Sequence, residues 1–194
     1  MLDITSGSVV IDNLDLAAIP CERVREQLIT IPQDPLLLVG CTVRLNVDPA
    51  GQLSDADMIA ALDRVGLWTD VLEARGGLDA EIKDTLSLSR GQQQLLELAR
   101  AMLKLRVSHS KIVLLDEATS GVDVETDARM QNILRQAPFN SCTILTVAHR
   151  VRTIRDSDLV IVLDEGRVVE MDEPGVLAGR RGSVFASLLN SHSL

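Results

Sequence analysis

The stretch Lys111-Ile-Val-Leu-Leu-Asp-Glu117 decides the fold. Its continuous apolar run is typical of a strand that is buried on both faces of a parallel sheet. Two adjacent carboxylates, Asp116 and Glu117, come at the carboxyl end of this strand, which is where α/β sheets bind ligands. Because side chains alternate along a strand, one acid can hold a metal ion through water while the other faces a nucleophile. Taken alone, the pair is also compatible with acids that only solubilise the end of a strand.

Similar patterns extend in both directions from this stretch. Strands are predicted at residues 8–12, 28–31, 111–116, 142–147, 158–163 and 167–170, with Asp164-Glu165-Gly166 as a hairpin turn between the last two. The runs at 142–147 and 158–163 are also continuously apolar, so we expect burial on both of their faces. A start signal at Ser54-x-x-Asp57 and a capping box at Ser89-x-x-Gln92 open two helices, and further helices are expected at about 124–135 and 183–190. This alternation predicts an α/β domain with a mainly parallel sheet, flanking helices and a helical lobe at about residues 52–103.

Composition narrows the class of protein. The chain has 194 residues, of which 46% are hydrophobic, so a folded domain is expected and disorder is excluded as the main state. The net charge of −9 disfavours a nucleic-acid partner. Three scattered cysteines suit reduced thiols in a cytosolic compartment. The apolar runs are too short to cross a bilayer, so any membrane role must come through a partner or through another segment.

A second motif precedes the acidic strand. Leu88-Ser89-Arg90-Gly91-Gln92 begins a capped helix in which the Ser89 hydroxyl, unpaired backbone N–H groups and a glycine without a side chain come together. Such a helix start is suited to bind a phosphate. It is equally compatible with an ordinary helix start, and its spacing from the acidic strand is what favours a phosphate site.

With these motifs together, the chain resembles the nucleotide-binding domain of ATP-binding-cassette (ABC) transporters. Residues 88–92 resemble the family's LSGGQ signature, 112–117 the Walker B strand and Ser120-Gly-Val-Asp123 the D-loop. Gln33 matches the Q-loop glutamine, and His149 matches the switch histidine. A finer likeness, to the second cassette of the C (multidrug-resistance-associated) subfamily, rests on residues 42–49, 125–127 and 153–158.

The resemblance implies a P-loop NTPase-like fold and a set of residue roles. Asp116 would hold Mg²⁺ through water with a contribution from Gln33, Glu117 would be the general base, and His149 would contact the γ-phosphate of ATP. Ser89, Gly91 and Gln92 would serve a nucleotide that is held by a second cassette in a head-to-tail dimer, and Asp123 would support that interface. The implied partners are this second cassette and transmembrane domains, which would place the chain at the cytoplasmic face of a membrane.

One family motif has no counterpart in the sequence. A phosphate-binding loop needs G-x-x-x-x-G-K-[ST], and the chain contains no Gly-Lys pair. Residues 2–7 resemble the family's segment just after that loop and its helix, so we expect a truncated cassette with an incomplete N-terminal part and weak ATP binding on its own. Its sheet is expected to have an open edge and an uncovered apolar face.

Three functions remain open at this point. The leading one is ATP hydrolysis coupled to transmembrane export, within an ABC transporter. A second is a non-catalytic module that completes a partner cassette's ATP site through Ser89 and Gly91. A third is a soluble cassette protein of DNA repair or translation; the acidic charge and the C-subfamily phrases disfavour it, and salt-sensitive binding to DNA or ribosomes would support it.

Overall fold

Strands and helices alternate along the chain, as the sequence predicts. The computed structural model describes residues 4–82, 88–108, 110–148 and 151–191. The strands are β1 (Val10–Ile11), β2 (Leu14–Asp15), β3 (Leu28–Ile31), β4 (Ile112–Asp116), β5 (Thr143–Val147), β6 (Val160–Asp164) and β7 (Arg167–Asp172). The α-helices are α1 (Cys21–Gln27), α2 (Val43–Val47), α3 (Asp55–Arg64), α4 (Arg90–Ser108), α5 (Val124–Leu134), α6 (Pro174–Gly179) and α7 (Val184–Ser191).

The acidic strand lies at the centre of a sheet with the order β3-β4-β5. β3 runs parallel to β4, with Leu28 opposite Ile112 and Ile31 opposite Leu115. Ile29 and Ile31 on β3 and Val113 and Leu115 on β4 are buried in the main apolar core. The expected α/β class with a parallel sheet is therefore confirmed, and the carboxyl ends of β3 and β4 lie at the same edge.

Helix α4 packs against this sheet, and its inner face fills the core with aliphatic side chains such as Leu96, Leu98 and Ala99. Both predicted helix starts are present, and the capping box is complete at Ser89. The Ser54 Oγ accepts from the Asp57 N–H at 3.2 Å at the start of α3, and the Ser89 Oγ accepts from the Gln92 N–H at the same distance. Between α3 and residue 82 the chain forms a short π-helical turn and 3-10 turns.

The chain divides into two compact units, Met1–Leu145 and Thr146–Leu194. The second has its own small core of Val160, Leu177 and Phe185. In it, β6 and β7 form the predicted antiparallel hairpin, and Glu165 and Gly166 both have positive φ in the turn. The Glu170 carboxylate accepts hydrogen bonds from the N–H groups of Val184 and Phe185, which anchors the start of α7.

Two expectations about the strands are wrong. β5 and β6 are not buried on both faces: Leu145 and Val147 are 57% and 56% exposed, and Leu163 is 66% exposed. An apolar run only indicates that a strand can be buried, and within the described residues β5 has β4 as its one neighbour in the sheet. The expected apolar surface at the sheet edge is therefore present. Strand β2 and helices α1, α2 and α6 were not predicted, because they are too short to show a periodic pattern.

Candidate functional site

The predicted metal and base residues lie at the carboxyl edge of the sheet. Asp116 ends β4 and is exposed, and Glu117 follows it and is half-buried. Gln33 comes two residues after Ile31, the residue of β3 that lies opposite Leu115. Because adjacent parallel strands are about 4.8 Å apart, the pairing brings Gln33 and the two carboxylates to one end of one strand pair. Carboxylate and amide oxygens are suitable ligands for Mg²⁺.

Glu117 has an unusual backbone conformation. Its φ is +46°, in the left-handed region that a glutamate rarely adopts, and its carbonyl accepts the Ser120 N–H at 2.8 Å in the turn after β4. Strained positions of this kind persist where the surrounding structure holds them and concentrate at functional sites. The conformation turns the chain sharply after Asp116, so the two acids are not a simple continuation of the strand.

The signature segment, residues 88–92, leads into α4, which begins at Arg90. The Ser89 N–H donates to the Gln92 Oε1 at 2.9 Å, and the Ser89 Oγ accepts from the Gln92 N–H. Gln92 is therefore engaged in the cap, while Ser89 itself is exposed. The Ser89 side chain therefore lies at the surface, where a second molecule can contact it.

Gly91 and Asp123 belong to one tightly packed corner. A methyl group on Gly91 would lie 3.1 Å from the Thr126 Oγ1 and 3.5 Å from the Asp123 Oδ2. Asp123 caps α5: it accepts the Thr126 N–H at 2.9 Å and the Thr126 hydroxyl at 2.7 Å. These hydrogen bonds, chiefly the one from the Thr126 N–H, lower the pKa of Asp123 below its ordinary value. The missing side chain of Gly91 thus has a packing function, in addition to any contact with nucleotide.

Gly91→Ala tests this packing. In a helix the change from glycine to alanine normally stabilises by about 1 kcal/mol. Here we expect a net loss of about 1 kcal/mol in the free energy of unfolding, because Thr126 is held by two hydrogen bonds and cannot move aside without losing them. Gly175→Ala, where an added methyl group meets nothing within 4 Å, is the matched control. Urea unfolding checks both, and stabilisation of both variants by the same amount would contradict the packing.

Arg90 occupies the variable place of the signature. Its side chain connects the segment after Gln33 with the loop before Asp123. Its Nη2 lies 3.0 Å from the Asp34 Oδ1, one residue beyond Gln33. Its Nε lies 3.1 Å from where a methyl group on Gly121 would be, so the side chain covers the loop that leads to Asp123. The pair is exposed and its contribution to stability is therefore small. Arg90 nevertheless places the segment after Gln33, the signature and the D-loop next to one another.

Of the predicted site residues, His149 lies outside the described residues. The described part of the chain contains no group of three or more His, Cys, Asp or Glu side chains that could hold a metal ion by themselves.

Comparison with known proteins decides the family. The family model described as "ABC transporter" matches residues 1–120. The chain belongs to the ABC transporter family. It is 44% identical over 191 residues to the ABC multidrug transporter B of Aspergillus fumigatus, and 42% identical over 186 residues to the ATP-binding cassette sub-family C member 2 of Rattus norvegicus. These alignments cover 98% and 95% of this chain but only 13% and 12% of the two relatives.

A solved structure agrees with this assignment. A bacterial Atm1-family ABC exporter with ATP bound matches with a TM-score of 0.85 and 29% identity, over 99% of this chain and 33% of that one. The P-loop NTPase-like fold and the resemblance to C-subfamily cassettes are thereby confirmed. Within the described residues, no helix of the cassette is long and apolar enough to span a membrane.

Sequence reasoning missed the polar residues that hold the cassette's site together. Three polar residues on the inner face of α4, Gln94, Glu97 and Arg100, bind the backbone of the segment after β3. Their spacing of three residues places them on one side of the helix, among apolar positions. A glutamate and an arginine three residues apart inside an otherwise buried stretch are the signal that could have revealed them.

Proposed function

We propose that the chain is part of the ATP-hydrolysing engine of an ABC exporter. The observation that carries this proposal is the parallel pairing of β3 and β4, which brings Gln33, Asp116 and Glu117 to one sheet edge. A cluster of this kind suits phosphoryl transfer, which requires positioning, charge neutralisation and an oriented water more than covalent chemistry. In this proposal the nucleotide is ATP, and the cassette works only together with a phosphate-binding loop and a second cassette.

Each residue has a defined task in this proposal. Asp116 holds Mg²⁺ through water with help from Gln33, and the bound ion supplies charge neutralisation at the phosphates. Glu117 accepts a proton from the attacking water, at the position where the positive φ turns the chain after β4. His149 contacts the γ-phosphate, where a neutral imidazole can donate and accept a hydrogen bond.

The proposed partners meet the chain at two places. The second cassette binds head to tail, so that Ser89, Gly91 and Gln92 face its nucleotide and Asp123 supports the contact. Transmembrane domains dock near Gln33, where apolar side chains remain more than a third exposed: Leu36, Leu38, Val39 and Leu45. An exposed apolar patch beside a site is typical of an interaction surface. The assembled cassette then lies at the cytoplasmic face of a membrane.

A second candidate function is a non-catalytic module that completes the ATP site of a partner cassette. The observation that favours it is the formed signature corner, in which Ser89 and Gln92 are joined by two hydrogen bonds while the Ser89 side chain stays exposed. Mixing the chain with an intact C-subfamily cassette separates the two functions, with stimulated release of inorganic phosphate from Mg·ATP as the measurement.

We expect wild-type chain to stimulate the intact cassette and Ser89→Arg to abolish the stimulation, because a long cationic side chain fills the contact with the partner's nucleotide. Ser54→Arg, which removes the same kind of cap at the start of α3, is the matched control and should stimulate normally. Stimulation that survives Glu117→Gln but is lost in Ser89→Arg favours the module. The absence of stimulation by the wild-type chain would count against both functions.

A further inference from the structure

The segment that carries Gln33 has no regular secondary structure of its own. Residues 32–38, called the connecting segment here, leave β3 and run towards α2 without strand or helix pairing. Its backbone polar groups therefore need partners elsewhere. Three α4 side chains provide them, Gln94, Glu97 and Arg100, and these are called the clamp residues.

The clamp contacts the connecting segment at several points. The Gln94 Nε2 donates to the Gln33 carbonyl at 2.7 Å and to the Pro32 carbonyl at 3.2 Å. The Glu97 Oε1 accepts the Leu36 N–H at 2.8 Å, and Arg100 donates to the Leu36 carbonyl. Both backbone polar groups of Leu36, and the carbonyl of Gln33 itself, are thus held by one helix face.

The far end of the segment is held through Asn46 of α2. The Asn46 Oδ1 accepts the Leu38 N–H at 2.8 Å, its Nδ2 donates to the Leu38 carbonyl at 3.0 Å, and Arg100 donates to the same Oδ1 at 2.8 Å. Glu97 and Arg100 are joined at 2.5 Å, and their side chains are 9% and 17% exposed. Hydrogen bonds to charged groups in such surroundings are among the stronger ones in proteins.

We infer that Gln94, Glu97 and Arg100 are positioning residues that make the connecting segment and α4 move as one body, so that Gln33 is placed by the same helix that presents Ser89. The inference rests on the proposed function. In that function Ser89 contacts the partner's nucleotide and Gln33 helps to hold the metal ion, so the coupling connects these two sites. Gln94 contributes to this coupling only through its Nε2 donor. Its buried Oε1 has no hydrogen-bond partner among the described residues.

Hydrogen exchange of backbone amides tests the coupling in the chain alone. In Glu97→Ala the Leu36 amide should exchange about tenfold faster, because it loses a charged acceptor, while β4 amides change less than about twofold. Glu97→Gln, which keeps an acceptor oxygen, should restore slow exchange. Lys104→Met is the matched control: it removes hydrogen bonds from α4 to the Arg25 and Leu28 carbonyls, before the connecting segment. Unchanged Leu36 exchange in Glu97→Ala, or equal acceleration throughout the sheet, overturns the inference.

A second arm adds the intact cassette and Mg·ATP. In the wild-type chain, protection of residues 88–92 should be accompanied by protection of the Leu36 and Leu38 amides. In Glu97→Ala the protection of residues 88–92 should persist, whereas the protection of the Leu36 and Leu38 amides should disappear. Protection of 88–92 without protection of Leu36 and Leu38 in the wild type overturns the inference. If 88–92 gain no protection either, the proposed function fails, and the exchange of the chain alone still decides whether the clamp exists.

Gln94→Leu provides a variant that leaves no charge unpaired, for use if Glu97→Ala does not fold. It should accelerate the exchange of the Leu36 amide about threefold, because the Pro32 and Gln33 carbonyls lose their donor. Slow exchange at Leu36 in this variant also overturns the inference.

Discussion

Replacing Glu117 with glutamine, in a cassette that joins this chain to a phosphate-binding loop, is expected to lower the rate of ATP hydrolysis roughly 10²- to 10⁴-fold. Glutamine fills the same space but cannot accept the proton of the attacking water. ATP binding should stay unchanged, because Glu117 is proposed to act on the water and Asp116 on the metal ion. Single-turnover release of phosphate measures the chemical step, and titration with a fluorescent ATP analogue measures binding.

The matched control for this prediction is Glu73→Gln, which makes the same change in charge at an exposed position of a 3-10 turn. It should hydrolyse ATP like the parent cassette. A Glu117→Gln cassette that retains more than about a tenth of the parent rate would assign the base to another residue, since a general base contributes far more than that.

The largest expected effect on stability comes from Arg100→Met, which should lower the free energy of unfolding by about 3–5 kcal/mol. Methionine keeps most of the aliphatic stem, so the loss comes from the charge of Glu97, which would remain in the interior without its partner. The Leu36 and Asn46 carbonyls and the Asn46 Oδ1 would also lose a donor. Urea unfolding of the 194-residue chain measures the change.

This variant should also respond to pH in a defined direction. Burial raises the pKa of Glu97 above its ordinary value, and the nearby Arg100 guanidinium opposes that shift. Without Arg100 the folded state holds a proton on Glu97 more tightly than the unfolded state does. The free energy of unfolding of Arg100→Met should therefore fall as the pH rises from the ordinary glutamate pKa through the raised pKa of Glu97.

Two comparisons make the Arg100 prediction specific. Lys104→Met removes a cation from the same helix, but its amine is at the surface, so its effect should be below about 1 kcal/mol. The double variant Glu97→Gln/Arg100→Met leaves no charge buried and should recover at least half of the lost stability. Equal effects of Arg100→Met and Lys104→Met would show that the Glu97 charge is not held by Arg100.

Much of the cassette can be predicted from local sequence. The β3 boundaries, the helix starts at Ser54 and Ser89 and the hairpin at Glu165-Gly166 all depend on residues close in the chain, and the structure has each of them. The apolar strand with its terminal carboxylates indicated the parallel sheet and the edge at which Asp116 and Glu117 lie. These features are local, so their physical causes can be read from a few neighbouring residues.

The remaining features depend on contacts between distant segments. Glu97 and Leu36 are separated by 61 residues, so no periodic pattern could pair them. The close approach of Gly91 to Thr126 likewise requires α4 and α5 to be packed, and sequence alone suggested only that the glycine exposes backbone. The exposure of Leu145 and Val147 depends on what covers β5, which an apolar run does not specify. The roles toward nucleotide and metal stay predictions for every site residue: Gln33, Ser89, Gly91, Gln92, Asp116, Glu117, Asp123 and His149.

The clamp on α4 also restricts how the gene for this cassette can vary. An α-helix turns by about 100° for each residue, so an insertion or deletion between Gly91 and Gln94 would rotate Gln94, Glu97 and Arg100 away from the segment that they hold. A change in length there would displace all three clamp residues at once, whereas a substitution affects one of them. The number of residues between Ser89 and Arg100 therefore sets the position of the signature relative to the segment that carries Gln33.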